Sequence, residues 1–448
     1  MVSALHLSNE DDPAPRSIRT PLDLYDYILF LPSIWSAAAL GISLRMLGPA
    51  FVIVPIGTCA IYAILRRTAP PILLSLYVIY CAVIATASAM RLMPVSWQIY
   101  FIPEAIIRQL VPTVAFLTVS WASMTYFLRH RTYEFLCSRS TLILILCLVA
   151  APATMVAQGL KYQGDGAEHS ALALYGALIN NILIAVFFLT GYAFLRRGAP
   201  RWFGISAIVI IAIATPFLQF KILTIAILAM LVGFPGRLIT RALIAAFVLV
   251  YAVELNHIPQ VMMISSDSGI RLQFIADALR SLSDTYGVGI GYGTESVRWV
   301  YHFPNLPTFA FLPNTASMTS ERLLEALSTG VHNSFVQALM RTGIPGFCLL
   351  VSAFFAAFPA AVAPRGARSH ACVAFATIFL ACFVNPALES PVQVVGVGFI
   401  YGYLLALRRM TNHAPIRSLS ALSNGVPQKE AMSIVPSLTG PAYTRASF

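Results

Sequence analysis

The sequence predicts an all-α, polytopic membrane protein with about 12 transmembrane helices and one large extramembrane loop. Of the 448 residues, 58% are hydrophobic and only 10% are charged, which excludes a water-soluble globule of ordinary composition. Apolar stretches long enough to cross the bilayer recur along most of the chain. The exception is the polar interval from Asn256 to Val331, which is the place to look for a functional site.

The predicted transmembrane helices follow one another at short spacing, and a hydrocarbon core of roughly 30 Å needs about 20 apolar residues for each of them. Several contain proline, which removes a backbone donor and favours a kink. Their predicted centres lie near Ala37, Pro55, Ala82, Leu117, Val149, Ile184, Ile210, Ala226, Phe247, Val351, Phe379 and Phe399.

Charge sets the orientation of these helices, because short cytoplasmic loops are enriched in Lys and Arg. Most of the 29 basic residues fall on one side if the amino terminus is cytoplasmic, which also places the carboxyl terminus in the cytoplasm and the large loop outside. The predicted order is a cytoplasmic tail (1–25), transmembrane helices 1–9 (26–255), the large periplasmic loop (256–333), transmembrane helices 10–12 (334–409) and a disordered cytoplasmic tail (410–448).

The basic and cysteine residues do not suggest another class of protein. The arginines lie at the ends of apolar stretches, so the net charge of +11 reflects membrane topology and we expect no nucleic-acid partner. The seven cysteines lie in apolar stretches or a short loop and none lies in the polar interval, so the sequence predicts neither disulfides nor a metal site. We expect no cofactor.

Within the loop, two local patterns predict structure. Apolar residues at helical spacing between Arg271 and Arg280 predict an amphipathic helix on the membrane surface, and Ser320–Leu327 predicts a second short helix. Between them, glycine recurs at alternate positions from Gly287 to Gly293. This run is either a close-packed turn, which we favour, or a phosphate cradle, for which the required strand-then-helix context is missing.

The loop ends at His332 and Asn333, directly before an apolar helix that includes Gly343-Ile344-Pro345-Gly346. A histidine at a membrane boundary is most often an ordinary interfacial residue. His332 is a stronger candidate because imidazole exchanges a proton near neutral pH and the same loop holds several arginines.

The order of an arginine, a Gly-x-Gly-x-Gly turn, a His-Asn pair and Gly-Ile-x-Gly resembles the O-antigen polymerase and ligase superfamily over roughly Phe217 to Phe355. Members transfer glycan from an undecaprenyl-pyrophosphate carrier to a hydroxyl acceptor at the outer face of the bacterial inner membrane. The resemblance implies the same location and substrate for this chain. It also implies the lipid bilayer, a chain-length regulator and a flippase of the same pathway as partners.

The resemblance further implies catalytic roles for His332, as general base, and Arg271, as the pyrophosphate ligand. Lys221 stands where the family often has arginine, and lysine supplies a point charge without the bidentate fork. No Asp-x-Asp motif occurs, so cationic side chains are expected to stabilise the leaving pyrophosphate without a metal. The predicted substrate-binding set is Lys221, Arg280, Arg298, Asn333, Gly289 and Gly291.

Four hypotheses remain open. A polymerase of exopolysaccharide or O-antigen repeat units and a ligase that moves finished glycan onto a lipid core would share the same loop chemistry. A flippase or other transporter would place ionisable groups near the bilayer midplane, whereas those of this sequence collect at helix ends and in the loop. A non-catalytic scaffold of a secretion complex would not need His332.

Overall fold

The computed structural model describes residues 24–31, 50–93, 103–130, 183–184, 187–188, 190–191, 275, 278–293, 333–358, 365–384, 387–389 and 393–412. Within these ranges the protein is helical and contains no β-strand. A π-helical turn, Asp26–Phe30, precedes α1 (Ala50–Leu65), α2 (Ile72–Ala89), α3 (Pro103–Arg129), α4 (Ser334–Ala356), α5 (Arg365–Val384) and α6 (Gln393–Asn412). These six helices coincide with six of the predicted transmembrane helices.

In the part of the chain that the structure describes, three helices are long and apolar enough to cross a membrane: Ile72–Ala89, Ala105–Arg129 and Ser334–Ala356. Their length and composition support a membrane protein. The residues around 184 that the structure describes are also helical. The predicted helices centred near Ala37, Val149, Ile210, Ala226 and Phe247 lie outside the described residues, so the number of twelve stays a prediction.

Helices α3 and α6 approach each other through small residues. Gly398 and Gly402 form a Gly-x-x-x-Gly pair on α6, and a Cβ on Gly402 would lie 2.5 Å from the carbonyl oxygen of Ser120 and 2.6 Å from the Cβ of Ser123. Small residues at this spacing let two helix backbones pack closely, which is how many membrane helices associate in the absence of a hydrophobic driving force. The buried rings of Phe116 and Tyr401 pack beside this contact, with their centres 5.2 Å apart and their planes tilted by 49°.

A buried carboxylate joins the amino-terminal segment to one end of this bundle. Asp26 is fully buried and accepts a hydrogen bond from the Tyr62 hydroxyl at 2.6 Å. Its oxygens also lie 3.4 Å from an Arg66 guanidinium nitrogen and 3.0 Å from Nε2 of His130. These partners come from the carboxyl ends of α1 and α3, so the carboxylate holds three chain segments together.

The opposite ends of α2 and α3 receive the segment 278–293, which belongs to the predicted periplasmic loop. The predicted topology places these ends on the outer side and the Asp26 cluster on the inner side. The Asp26 cluster and the contacts of segment 278–293 each join helix ends that are predicted to lie on one side of the membrane. The direction in which the chain crosses the membrane stays a prediction.

Candidate functional site at the break in helix α4

A short helix over residues 278–284 leads into the glycine run. It ends in a Schellman arrangement, in which the amide of Gly287 donates to the carbonyl of Leu282 at 2.9 Å and that of Tyr286 donates to Ser283 at 3.1 Å. The helix predicted up to Arg280 therefore extends four residues further. Ala278 and Ser281 are buried, whereas Leu279 is 52% exposed on the other face, which is the face predicted to lie on the membrane.

The glycine run is a close-packed turn, as favoured from the sequence, and its partner is helix α4. All four glycines of the run have positive φ, between 81° and 89°. A Cβ on Gly289 would lie 2.5 Å from the amide nitrogen of Gly343 and 2.7 Å from the carbonyl oxygen of Arg341. The backbones of the turn and of α4 thus touch at a point where no side chain fits.

Helix α4 is broken at this contact. Gly343 has φ 65° and ψ −167°, which is not helical, so α4 consists of a first half-helix, 334–342, and a second half-helix, 344–356. In a continuous helix the carbonyls of Met340, Arg341 and Thr342 would accept from the amides of residues 344 to 346. Residue 345 is proline and has no amide hydrogen, and the break turns the amide of Ile344 away.

The glycine turn supplies most of the missing partners. The amide of Ile290 donates to the carbonyl of Met340 at 2.9 Å, and the amide of Gly291 donates to that of Arg341 at 3.0 Å. The amide of Ile344 donates back to the carbonyl of Gly287 at 2.9 Å. Tyr80 of α2 completes the set with a hydroxyl that lies 3.2 Å from the carbonyl of Thr342. The backbone groups that the break leaves without helical partners are therefore bonded to other protein groups, as a membrane interior requires.

The remaining amides of the turn also have protein acceptors. Gly289 donates to Thr285 Oγ1 at 3.1 Å, Tyr292 to Ser88 Oγ at 2.9 Å and Gly293 to Gln109 Oε1 at 2.8 Å. Val288 donates to the carbonyl of Thr285 at 3.1 Å. Every amide from residue 287 to residue 293 is thus engaged within the protein, and none points into an open phosphate cradle.

Asn333 begins the first half-helix. Its backbone is extended, with φ −163° and ψ 111°, and its side-chain oxygen accepts from the amides of Phe335 at 3.0 Å and Val336 at 3.1 Å. This is an N-cap, and asparagine is among the best residues for it. Of the His-Asn pair in the sequence, Asn333 therefore has a structural role. It fixes the point at which the helix starts, directly after His332 in the chain.

A mostly buried ion pair lies near the other end of the first half-helix. Arg341 is 3% exposed and pairs with Glu389 of the turn 387–389, which connects α5 to α6. The Arg341 guanidinium also lies 5.6 Å from the centre of the Tyr292 ring, within the range of a cation–π contact. Burial raises the pKa of the Tyr292 phenol well above its usual range, so the phenol stays neutral and can donate to the Cys81 sulfur.

The structure brings together some of the predicted site residues. Gly289 and Gly291 contact Arg341 at the break, Asn333 caps the same half-helix, and Arg280 lies exposed on the short helix that leads to the turn. A substrate-binding role for these four stays a prediction. The other four predicted residues lie outside the described residues: His332, Arg271, Lys221 and Arg298.

The sequence reasoning missed Arg341, Glu389 and Tyr292. The signal for Arg341 was present, because an arginine within an apolar helix usually faces the bundle and has an acidic partner. The identity of that partner was not predictable, since Glu389 is 48 residues away in the chain. Among the described residues no group of three or more His, Cys, Asp or Glu side chains is placed to hold a metal ion.

Comparison with known proteins gives one finding. No curated protein matches the chain. Residues 167–351 match the family model described as O-Antigen ligase. The matched segment includes the glycine turn, the His-Asn pair and the broken part of α4, and it overlaps the region in which the resemblance was found. The match therefore supports the resemblance to the O-antigen polymerase and ligase superfamily over residues 167–351.

Proposed function

We propose that this protein is a membrane glycosyltransferase that polymerises undecaprenyl-pyrophosphate-linked oligosaccharide repeat units of an exopolysaccharide or O-antigen. The family match carries the proposal, because it supports an enzyme of the O-antigen ligase or polymerase type. The inner membrane is the proposed location, with both termini in the cytoplasm and the loop in the periplasm. The proposed partners are the lipid bilayer, a flippase and a chain-length regulator.

The proposed reaction is an inverting transfer. His332 removes the proton from a sugar hydroxyl of the acceptor, whose oxygen then bonds to the anomeric carbon of the donor glycan. The bond between that carbon and the pyrophosphate oxygen breaks, and the carrier leaves with the electron pair. General-base catalysis of this kind contributes about 10²- to 10⁴-fold in rate.

Arg271 is the proposed ligand of the leaving pyrophosphate, since a guanidinium can pair with two phosphate oxygens at once. Lys221, Arg280 and Arg298 are proposed to add positive charge around it. The described geometry supports the proposed role of His332 in one respect. The half-helix that follows His332 is capped, buried and bonded on several sides, which suits a residue that must be held in one place.

A ligase that transfers finished glycan to a lipid core is the second candidate, and the description of the matching family model names an O-antigen ligase. The two differ in the acceptor, so the intermediates that accumulate when the enzyme fails distinguish them. A polymerase defect accumulates single lipid-linked repeats, whereas a ligase defect accumulates full-length chains that remain on the carrier.

The test uses His332→Ala and Arg271→Ala in the producing cell, with His302→Ala and Arg322→Ala as matched controls from the same loop. Lipid-linked intermediates and glycan length are measured together with the amount of protein in the membrane. We expect both site variants to lose transfer at normal protein levels and both controls to keep it. Normal polymer and normal ligation in the two site variants would refute the proposed function.

A further inference from the structure

The turn 387–389 contacts the first half-helix of α4 at both of its ends. At the start, the amide of Leu388 donates to Ser334 Oγ at 3.0 Å, and Ser334 is fully buried. Two turns later, Glu389 pairs with Arg341. Two adjacent residues of one turn therefore fix both ends of the half-helix that follows His332.

A second constraint on the first half-helix comes from the glycine turn. The amides of Ile290 and Gly291 bond the carbonyls of Met340 and Arg341, so the last residues of the half-helix are held through their backbone. Arg341 takes part in both constraints, since its carbonyl is bonded to one turn and its guanidinium to the other. A rotation or slide of the half-helix would have to break the ion pair and these backbone bonds together.

Such a constraint matters for the residue that precedes the half-helix. A peptide bond joins this residue, His332, directly to Asn333, and neighbouring Cα atoms are about 3.8 Å apart. A general base must lie within hydrogen-bonding distance of the proton that it removes. A displacement of about 1 Å can lower the rate by about 100-fold, even when its cause lies far from the reacting atoms.

The chemistry of the Arg341–Glu389 ion pair indicates that it selects one placement of the half-helix rather than raising the free energy of unfolding. Replacing a buried ion pair by apolar residues of similar volume is often neutral or stabilising, because two charges no longer need to be desolvated. Apolar side chains can pack in several registers, whereas Arg341 and Glu389 must face each other. A buried ion pair at this position thus selects one placement of the half-helix.

From these contacts we infer that Glu389 and Arg341 are positioning residues, which hold the first half-helix of α4 in the one register that places His332 for the transfer reaction. The inference rests on the proposed role of His332. It assigns a part in catalysis to Glu389, a residue beyond the end of the segment that matches the family model at residue 351.

The test compares Glu389→Gln, the double variant Arg341→Met/Glu389→Leu and His332→Ala in the full chain. Membranes are prepared from producing cells that carry each variant, and the probe is the lipid-linked glycan of those cells. The transfer rate per folded protein and the thermal unfolding midpoint of the detergent-solubilised protein are both measured.

We expect Glu389→Gln to lower both the midpoint and the rate, because Arg341 loses its charge partner. The double variant should recover the midpoint while its rate per folded protein stays about 10- to 100-fold low, since the apolar pair no longer selects the register. Recovery of both quantities in the double variant would overturn the inference, because it would show a role in stability only.

The outcome for His332→Ala separates the inference from the proposed function. If His332→Ala is inactive while Glu389→Gln transfers at the wild-type rate, the positioning role is wrong and the proposed function stands. If His332→Ala transfers at the wild-type rate, the proposed function fails, and the positioning role fails with it.

Discussion

Gly289→Ala tests the contact between the glycine turn and the break in α4. The new Cβ would lie 2.5 Å from the amide nitrogen of Gly343 and 2.9 Å from the carbonyl carbon of Arg341. Both atoms belong to the backbone, so the collision cannot be relieved by moving a side chain. Gly289 also has φ +89°, a conformation that alanine rarely adopts.

Two costs add up in this variant. The strained backbone contributes about 1 to 3 kcal/mol, and the forced separation of packed groups contributes about 1 to 3 kcal/mol more. The free energy of unfolding should therefore fall by about 2 to 6 kcal/mol, a large part of the 5 to 15 kcal/mol that is typical of folded proteins. At about 2 °C per kcal/mol, the unfolding midpoint should fall by about 4 to 12 °C.

The assay is thermal unfolding of the detergent-solubilised protein, followed by the loss of its monodisperse peak in size-exclusion chromatography. Gly57→Ala is the matched control, because Gly57 lies within helix α1 and a Cβ there would meet nothing within 4 Å. We expect the control midpoint to stay within about 2 °C of the wild type or to rise slightly, since alanine favours a helix by up to about 1 kcal/mol over glycine. Equal midpoints for the two variants would refute the proposed packing of the turn.

Two further substitutions test the N-cap and the helix contact with the same assay. Asn333→Ala should lower the free energy of unfolding by about 1 kcal/mol because the amides of the first turn lose their acceptor. Asn333→Ser should keep most of that stability, since serine also caps helices well. Equal midpoints for the two variants would contradict the cap. Gly402→Ala should lower stability by about 1 to 3 kcal/mol because its Cβ would overlap the backbone of Ser120, and a midpoint equal to that of Gly57→Ala would contradict this close approach.

The sequence predicted the helices that composition determines. Helices α1 to α6 lie where apolar stretches of sufficient length occur, and the bilayer leaves few other structures for such stretches. The alternating glycines also predicted a close-packed turn, because positive φ and a close approach are what glycine permits.

The partner of the glycine turn was not predictable. Gly343 and Pro345 mark a possible break in α4, but the acceptors of the turn are backbone carbonyls, which carry no sequence signal. The same holds for the Tyr80 hydroxyl, which bonds a carbonyl 262 residues away. Long-range pairs of this kind are fixed by tertiary packing, so the local pattern shows that a turn exists without showing what it holds.

The contacts of the glycine turn and of the broken helix α4 extend beyond the segment that matches the family model. Residues 167–351 contain the glycine turn, the His-Asn pair and the broken helix, but the groups that hold them come from outside this range. Ser88 and Gln109 bond the turn, and Leu388 and Glu389 bond the half-helix. Buried amides and charges that lose such partners are costly, since each unsatisfied group removes about 1 to 3 kcal/mol. The placement of the glycine turn and of the first half-helix therefore depends on helices α2 and α3 before the matched segment and on the turn 387–389 after it.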